Sequence, residues 1–246
     1  MAFTSWRGTM GLIKPTHRPG SLEETIRLLP EGIGVVPVTV GFKEGSTSEF
    51  RDALGAIEDK VRELAEIGVD MIAPGGGPPL MVHGFDGERQ ILDTWQEAYG
   101  LPVISTGVTQ VEAIRALGAQ RIVGITYFSG SINDIFAQYF TDAGFDVLAM
   151  EGMDVPFDRV QMLSSHEVYA HAKAAFLRHR DADLVYMMGG GWRTLDIVQM
   201  LEEDLGVPVL HTVPARVWST QKHFFVGKRT QGFGRLLSEM PDPVSE

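Results

Sequence analysis

The chain has 246 residues, a length that accommodates one or two domains. Hydrophobic residues make up 44% of it and charged residues 22%, a balance that excludes a disordered chain and is typical of a globular protein. The 21 basic and 32 acidic residues give a net charge of −11, and no cluster of lysine and arginine opposes it, so nucleic acid is not an expected partner.

Short apolar runs alternate with longer amphipathic stretches along the first half of the chain. Four runs are predicted to be strands: Thr9–Ile13, Ile33–Val40, Asp70–Ala73 and Val103–Ser105. Three stretches with apolar residues three or four positions apart are predicted to be helices: Glu49–Ile67, Gly87–Ala98 and Gln110–Leu117. This alternation predicts an α/β protein with parallel sheets.

The second half repeats the alternation. Its predicted strands are Arg121–Thr126, Asp146–Glu151, Leu184–Met188 and Val207–Leu210. Its predicted helices are Ile132–Ala143, Ser165–His179, Thr194–Leu205 and Ala215–Phe224, and Gly227–Gly234 is a predicted loop. No linker rich in proline, glycine or serine separates the halves, so we expect them to pack closely.

No apolar run approaches the roughly 18 residues of a membrane-spanning helix, so we expect no membrane span. The first residues lack a charged start followed by a long apolar stretch, which argues against a signal peptide. The sequence contains no cysteine, which excludes disulfides, thiolate zinc sites and a cysteine nucleophile. We therefore expect a cytoplasmic protein.

One pattern occurs twice: a strand, three glycines, a helix, and a strand that begins Gly-x-Pro-Val. The glycine clusters are Gly75-Gly76-Gly77 and Gly189-Gly190-Gly191. Glycines at the carboxyl end of a parallel strand, just before a helix, place free backbone N–H groups where an anion binds. The repeat predicts two similar lobes whose glycine loops hold one small carboxylate between them, although each cluster alone also fits a tight turn. Neither cluster has the spacing of a dinucleotide or P-loop motif.

At these residues the chain resembles the aspartate/glutamate racemase superfamily, and within it the arylmalonate decarboxylase and maleate cis-trans isomerase branch. The segments that carry the resemblance are Gly189–Asp196, Gly206–Leu210, Pro214–Trp218, Ala116–Thr126 and Gly232–Leu237. The resemblance implies two pseudo-symmetric αβα lobes with parallel sheets and an active-site cleft between them. It implies that residues 1–112 and 216–246 form the first lobe and residues 113–215 the second.

The chain departs from this family at its reacting groups. Racemases of the family use one cysteine from each lobe, the decarboxylase keeps the second, and the isomerase uses a cysteine as nucleophile. Alignment of the motifs places these positions at Gly76 and Gly189. Because glycine cannot transfer a proton, two-base racemisation and thiolate addition are excluded for this chain.

The family's other site groups carry over in part. Gly77 and Pro78 stand where the decarboxylase has hydroxyl residues, so only Gly77 offers a backbone N–H to a carboxylate. An aromatic position of the family falls at Phe128, with Tyr127 beside it as the alternative. Asn133 is retained at a helix start, where a capping role is the other interpretation.

Histidine is the side chain best suited to replace a thiol in proton transfer at neutral pH. Three histidines follow predicted strands on the side of the cleft: His17, His83 and His211. We expect His211 or Tyr127 to transfer the proton, while His17 and His83 contact the substrate. A surface role fits each histidine as well, and three together also raise a metal site as an alternative, although no metal-binding motif is present.

Two further groups of candidates remain. Lys14, Arg18 and Arg193 are candidate carboxylate clamps, with Arg193 the best because it follows Gly191 at a helix start. Trp192 is a candidate cover for an apolar part of the substrate, or a packing residue between the lobes.

Together these residues predict a cofactor-independent lyase that decarboxylates a small carboxylate through an enolate-like intermediate. Backbone N–H groups of Gly76, Gly77, Gly189 and Gly190 are expected to hold the developing charge. Two alternatives stay open: a metal-dependent hydrolase or isomerase of a small acid or cyclic amide that uses the cleft histidines, and a binding protein without catalysis. The expected partner is a small carboxylate, with no metal and no cofactor, and the family implies a homo-oligomer.

Overall fold

The computed structural model describes residues 4–244 and contains two separate parallel sheets. The first sheet has the strand order β2-β1-β3, with β1 (Gly8–Lys14) paired to β2 (Ile33–Thr39) on one side and to β3 (Met71–Pro74) on the other. All four residues of β3 are buried, as expected for a strand covered on both faces.

Six helices lie in the first half of the chain. They are α1 (Ser21–Leu28), α2 (Thr47–Asp52), α3 (Leu54–Ile67), α4 (Pro78–Met81), α5 (Phe85–Tyr99) and α6 (Thr106–Ala116). The sequence pattern did not predict α1, which follows Pro19 and Gly20. It begins with a capping contact in which the Gly20 N–H donates to the Glu23 carboxylate at 2.7 Å.

The second sheet has the order β5-β4-β6-β7. Its strands are β4 (Arg121–Thr126), β5 (Asp146–Gly152), β6 (Leu184–Met187) and β7 (Val209–His211). Five helices belong to this half and the tail: α7 (Ile132–Asp142), α8 (Ser165–Arg178), α9 (Val198–Leu205), α10 (Thr212–His223) and α11 (Arg235–Glu239). Two 3-10 segments, Phe157–Met162 and Leu195–Ile197, complete it.

The structure differs from the predicted helix Glu49–Ile67, which is two helices. The Ser46 side chain accepts the Glu49 N–H at 3.2 Å and starts α2 at Thr47, earlier than predicted. The helix breaks at Ala53, whose ψ is −2°. Helix α3 then runs to Ile67 and ends at Gly68, which adopts the left-handed conformation. The helical spacing of apolar residues continues across the break between α2 and α3, so this spacing alone does not reveal that there are two helices.

The predicted strand Val103–Ser105 is reduced to a single bridge between Ile72 and Val103. Pro102 precedes it, and Ser105 already caps α6 by accepting the Val108 N–H at 3.2 Å. A helix that begins at Thr106 leaves too few residues for a strand, so α6 is longer than predicted and the strand shorter.

The helix after β7 also begins earlier than predicted. His211 caps α10, because its Nδ1 accepts the Val213 N–H at 3.1 Å. Pro214 is tolerated in the first turn, where its missing N–H has no partner to lose. Helix α10 packs against α1 and α6. The limits of the two lobes at residues 112/113 and 215/216 stay a prediction.

The loops that follow four of the strands lie at the carboxyl ends of the two sheets and face one another. Segment 15–20 follows β1, Gly75–Gly77 follow β3, Tyr127 follows β4, and Gly189–Gly191 follow β6. The prediction of an α/β fold with parallel sheets is confirmed. None of the helices in residues 4–244 is long and apolar enough to cross a membrane.

Candidate active site

One cavity lies between the carboxyl ends of the two sheets, and both glycine loops line it. The first loop contributes Gly76, and the second contributes Gly189, Gly190 and Gly191. Its other lining residues are Pro15, Thr16, Arg18, Ser21, Phe50, Pro78, Pro79, Tyr127, Phe128, Phe157 and Arg216. The two clusters singled out by the repeat therefore share one cavity.

Two guanidinium groups, those of Arg18 and Arg216, line the cavity, and no aspartate or glutamate is among its described lining residues. Arg216 is buried on α10 and donates from Nη1 to the Thr25 hydroxyl at 3.0 Å. Burial lowers the pKa of Arg216 to about 10, so the group remains charged at neutral pH. Neither arginine forms an ion pair within residues 4–244. The cavity therefore attracts an anion although the whole chain is acidic.

The phenol of Tyr127 fills the space beside the second glycine loop. A Cβ placed on Gly189 would lie 2.4 Å from Cε1 and 2.7 Å from the hydroxyl oxygen of Tyr127. Burial raises the pKa of Tyr127 to about 12, an effect reduced by the Arg18 charge and by the nearby Gly191 N–H. The phenol is therefore neutral at pH 7 and carries a transferable proton. It occupies the position where a side chain on residue 189 would stand.

The first glycine loop has no such neighbour. A Cβ on Gly76 would lie 2.9 Å from Cγ of Pro15, and the φ of Gly76 is 82°. Gly77 precedes α4, and a Cβ there would lie 2.7 Å from Sδ of Met81. Pro15 and Met81 do not titrate, so this side of the cavity is suited to binding and not to proton transfer.

Some backbone N–H groups of the two glycine loops already donate to protein acceptors, and others are available to a ligand. The Gly75 N–H donates to the Ile13 carbonyl at 2.8 Å, and the Gly189 N–H donates to the Thr212 hydroxyl at 3.1 Å. The N–H groups of Gly76 and Gly190 have no acceptor within residues 4–244. The structure thus differs from the expectation for Gly189, whose N–H already has a protein partner.

An aromatic wall forms another side of the cavity. Phe157 stacks on Phe128 with ring centroids 5.9 Å apart, and Phe50 meets each of them edge to face. The Arg18 guanidinium lies over the Phe157 ring, 4.1 Å from its centroid. An apolar group of a ligand therefore has a surface beside the positive charges.

The structure does not bring the three predicted histidines together. His17 is exposed, His83 is half-buried beside α4, and His211 is completely buried outside the cavity lining. Because Nδ1 of His211 accepts a backbone proton, Nε2 carries the ring proton and faces the Thr194 hydroxyl at 3.1 Å. Burial, with a smaller effect of Arg216, lowers the pKa of His211 to about 3. The geometry favours a capping role for His211.

The described residues 4–244 also hold no group of three histidine, aspartate or glutamate side chains placed to bind a metal. The metal-dependent alternative therefore lacks the ligand set of His17, His83 and His211 on which it was based.

Three other predicted residues lie away from the cavity lining. Lys14 donates to the Arg18 carbonyl at 3.1 Å and so supports the loop after β1. Arg193 is exposed and lies on the outer surface with Glu23 and Glu24. Trp192 is completely buried and packs edge to face on Tyr127 at 5.1 Å.

Asn133 supports the turn that carries Tyr127 and Phe128. Its Oδ1 accepts the Thr126 hydroxyl at 2.7 Å, and its Nδ2 donates to the Phe128 carbonyl at 3.1 Å. Both aromatic alternatives of the sequence analysis line the cavity, but only Tyr127 carries a hydroxyl.

Sequence reasoning missed Arg216. A signal was present, because Val213, Arg216, Val217 and Thr220 share one face of a helix and the two valines are ordinary core residues. An arginine on the buried face of a helix indicates a buried charge that needs an anionic or hydroxyl partner.

The fold and the cavity define a class of protein: an α/β protein with two parallel sheets in which arginines, glycine N–H groups and a buried phenol line one cavity. The arylmalonate decarboxylase family model matches residues 10–237, and the chain belongs to this family of enzymes.

The comparisons extend over nearly the whole chain. Arylmalonate decarboxylase of Bordetella bronchiseptica is 24% identical over 237 residues, covering 94% of this chain and 97% of the relative. The crystal structure of maleate isomerase from Pseudomonas putida S16 has a TM-score of 0.88 at 19% identity, covering 95% of this chain and 99% of the other. This likeness confirms the fold.

A further structure shows the chemistry that this chain lacks. A serine-for-cysteine variant of Nocardia farcinica maleate cis-trans isomerase, with a covalently bound succinylcysteine intermediate, has a TM-score of 0.85 at 22% identity and covers 94% of this chain and 98% of the other. That isomerase forms a bond through cysteine sulfur, whereas this sequence contains no cysteine.

Proposed function

We propose that this protein is a cofactor-independent decarboxylase of a small malonate-like diacid, with Arg216 as the carboxylate anchor and Tyr127 as the proton donor. The observation that carries the proposal is the position of the Tyr127 phenol against Gly189, at the residue that aligns with the second cysteine of the family. A neutral phenol there supplies the one proton that decarboxylation needs.

Binding begins at the first glycine loop. The retained carboxylate of the substrate binds Arg216 and the free N–H of Gly76, both of which line the cavity. Gly77 and Pro78 stand where the family resemblance implies hydroxyl residues that hold a carboxylate, and neither has a hydroxyl. The buried Arg216 guanidinium therefore binds the carboxylate in place of these hydroxyls.

Bond cleavage moves charge toward this anchor. The carbon–carbon bond to the second carboxylate breaks, CO₂ leaves as a neutral molecule, and the electron pair passes to the α-carbon and the retained carboxylate. The retained group then carries more negative charge than in the substrate, so Arg216 binds the transition state more strongly than the ground state.

Protonation completes the reaction. The Tyr127 hydroxyl donates its proton to the α-carbon, and the resulting phenolate recovers a proton from water. The Arg18 charge and the Gly191 N–H, which both favour the ionised phenol, stabilise that phenolate. The sum is one dicarboxylate dianion and one proton converted to one monocarboxylate and CO₂.

The aromatic wall suggests the substituent on the α-carbon. Phe50, Phe128 and Phe157 offer edges and faces to a planar apolar group. We therefore expect an arylmalonate to be a better substrate than malonate itself. The absence of cysteine from the sequence favours decarboxylation over an isomerisation of the kind that passes through a cysteine adduct.

The test is release of CO₂ from a 2-aryl-2-methylmalonate by the purified protein, measured beside the melting temperature with the same compound. Release of CO₂ that is lost in Tyr127→Phe supports the proposal. Thermal stabilisation without CO₂ release indicates a binding protein, and the absence of both overturns the proposed substrate class.

A further inference from the structure

A buried chain of three polar side chains runs behind the second glycine loop. The Tyr186 hydroxyl donates to Oε1 of Gln110 at 2.7 Å, and Nε2 of Gln110 donates to the Thr212 hydroxyl at 3.1 Å. The same Thr212 oxygen accepts the Gly189 N–H at 3.1 Å. Tyr186 and Gln110 are wholly buried and Thr212 is 2% exposed, so these hydrogen bonds are shielded from bulk solvent.

The three side chains come from separate parts of the fold. Gln110 lies on α6, Tyr186 on β6 and Thr212 at the first position of α10. Oε1 of Gln110 also lies 3.9 Å from the position of a Cβ on Gly77. These three hydrogen-bonded side chains therefore lie beside both glycine loops, although none of them lines the cavity itself.

The bond to Gly189 fixes the surface on which the phenol rests. Gly189 has a φ of 102°, and its Cα faces the Tyr127 ring with no room for a methyl group. A rotation of this peptide would change the position of the Tyr127 hydroxyl, which sits against Gly189 and Gly191. A buried N–H without an acceptor is energetically unfavourable, so we expect the Gly189 peptide to turn if Thr212 loses its hydroxyl.

We infer that Thr212, held by Gln110 and Tyr186, is a positioning residue that fixes the Gly189 peptide and through it the phenol that protonates the intermediate. The inference rests on the proposed decarboxylase function. Thr212 contacts no reacting atom, so its loss affects the protonation step and leaves the carboxylate anchor at Arg216 in place.

The test compares Thr212→Val, which keeps the shape and removes the hydroxyl, with Thr212→Ser, which restores it. Thr212→Val should lower kcat for a 2-aryl-2-methylmalonate by roughly 10- to 100-fold with little change in KM, because small misplacements of a reacting group have effects of this size. It should also lower the enantiomeric excess of the chiral product, because a displaced phenol lets water protonate either face. Thr212→Ser should recover both.

Thr220→Val is the matched control. Thr220 lies on the same helix, is 1% exposed, and donates its hydroxyl to Sδ of Met10 at 3.3 Å, away from the glycine loops. Its loss should lower the melting temperature without changing the enantiomeric excess. Tyr186→Phe removes the far end of the chain, and should change kcat and enantiomeric excess in the same direction as Thr212→Val by a smaller factor, even if Thr212→Val does not fold.

The outcomes separate the two proposals. If the wild-type protein releases no CO₂, the proposed function and this inference both fail. If it does, and Tyr186→Phe and any folded Thr212→Val give wild-type kcat and enantiomeric excess, the positioning role alone is overturned.

Discussion

The two glycine loops have the same sequence pattern and the same place in the fold, yet they meet different neighbours. A side chain on Gly76 would meet the Pro15 ring, whereas a side chain on Gly189 would meet the Tyr127 phenol. Arg216 lies on the side of the first loop, with Nη2 3.6 Å from the position of a Cβ on Gly75. One loop therefore faces a fixed positive charge, and the other faces a transferable proton.

Because the two glycine loops have different neighbours, the sequence repeat that they share does not predict equal chemical roles for them. A two-base reaction needs a group that exchanges a proton with the substrate carbon on each side. Among the described lining residues the first side has the Arg216 guanidinium, which is charged at neutral pH, and the second side has the Tyr127 phenol. The first side is suited to hold a carboxylate and the second to protonate a carbon. The proposed division of labour leads to four predictions.

Loss of the phenol should have the largest effect. Tyr127→Phe removes the only proposed proton donor and should lower kcat by about 10²- to 10⁴-fold, the range typical of general acid catalysis, with KM nearly unchanged. Release of CO₂ measures the rate, and Tyr99→Phe, at the end of α5, is the control. A wild-type kcat in Tyr127→Phe would assign the proton to another group.

Removal of the anchor should affect binding first. Arg216→Gln should raise KM for a diacid by about 30-fold or more, since loss of a buried charge partner costs at least about 2 kcal/mol. Arg193→Gln, at the exposed arginine that the sequence favoured as a clamp, should leave KM unchanged. Steady-state kinetics of both variants decides between the two arginines, and the reverse result would return the clamp to Arg193.

A methyl group on each loop tests the asymmetry directly. Gly189→Ala presses on Tyr127 and should lower kcat about 10-fold, equivalent to a barrier rise of about 1.4 kcal/mol. Gly76→Ala presses on Pro15 and should leave kcat within about 3-fold of wild type, or roughly 0.6 kcal/mol. Both should lose about 1–2 kcal/mol of unfolding free energy, because both glycines have positive φ. Equal kcat values for the two variants would contradict separate roles.

The smallest effect is expected from alkaline pH. A donor must be protonated, and the pKa of Tyr127 is raised to about 12 by burial, so kcat should stay level across pH 8.5, where a free thiol ionises. KM should rise first, as Arg216, with a pKa lowered to about 10, loses its charge. Rates from pH 6 to 10.5 measure both; a fall in kcat centred near pH 8.5 would speak against a phenol.

Much of the fold followed from hydrophobic pattern, because buried parallel strands such as Arg121–Thr126 are short apolar runs with clear ends. The pattern failed where a local cap decided the outcome. Ser105 caps the start of α6 where the pattern predicted a strand. A break at Ala53 separates α2 from α3, although the apolar spacing continues across it. Caps depend on backbone angles, which spacing does not encode.

The cavity of the candidate site was predictable in outline, since the two glycine clusters and Tyr127 all line it, whereas its charged residue Arg216 was not. His211 and Arg193 were attractive because of their positions next to motifs, but burial depth and side-chain direction come from packing across the fold. Arg216 lies about 140 residues from Gly76 along the chain, and only the packing of α10 on α1 brings it to the cavity. The homo-oligomer stays a prediction.

The position of the phenol against a bare glycine has a practical consequence. Hydrogen peroxide and iodoacetamide act on sulfur nucleophiles, and the described residues that line this cavity include neither cysteine nor methionine. An enzyme that forms its intermediate on a thiolate stops working when that sulfur is oxidised or alkylated. The proposed proton donor here is the Tyr127 phenol, which is not alkylated under conditions that alkylate a thiolate, so iodoacetamide treatment should leave the proposed activity in place.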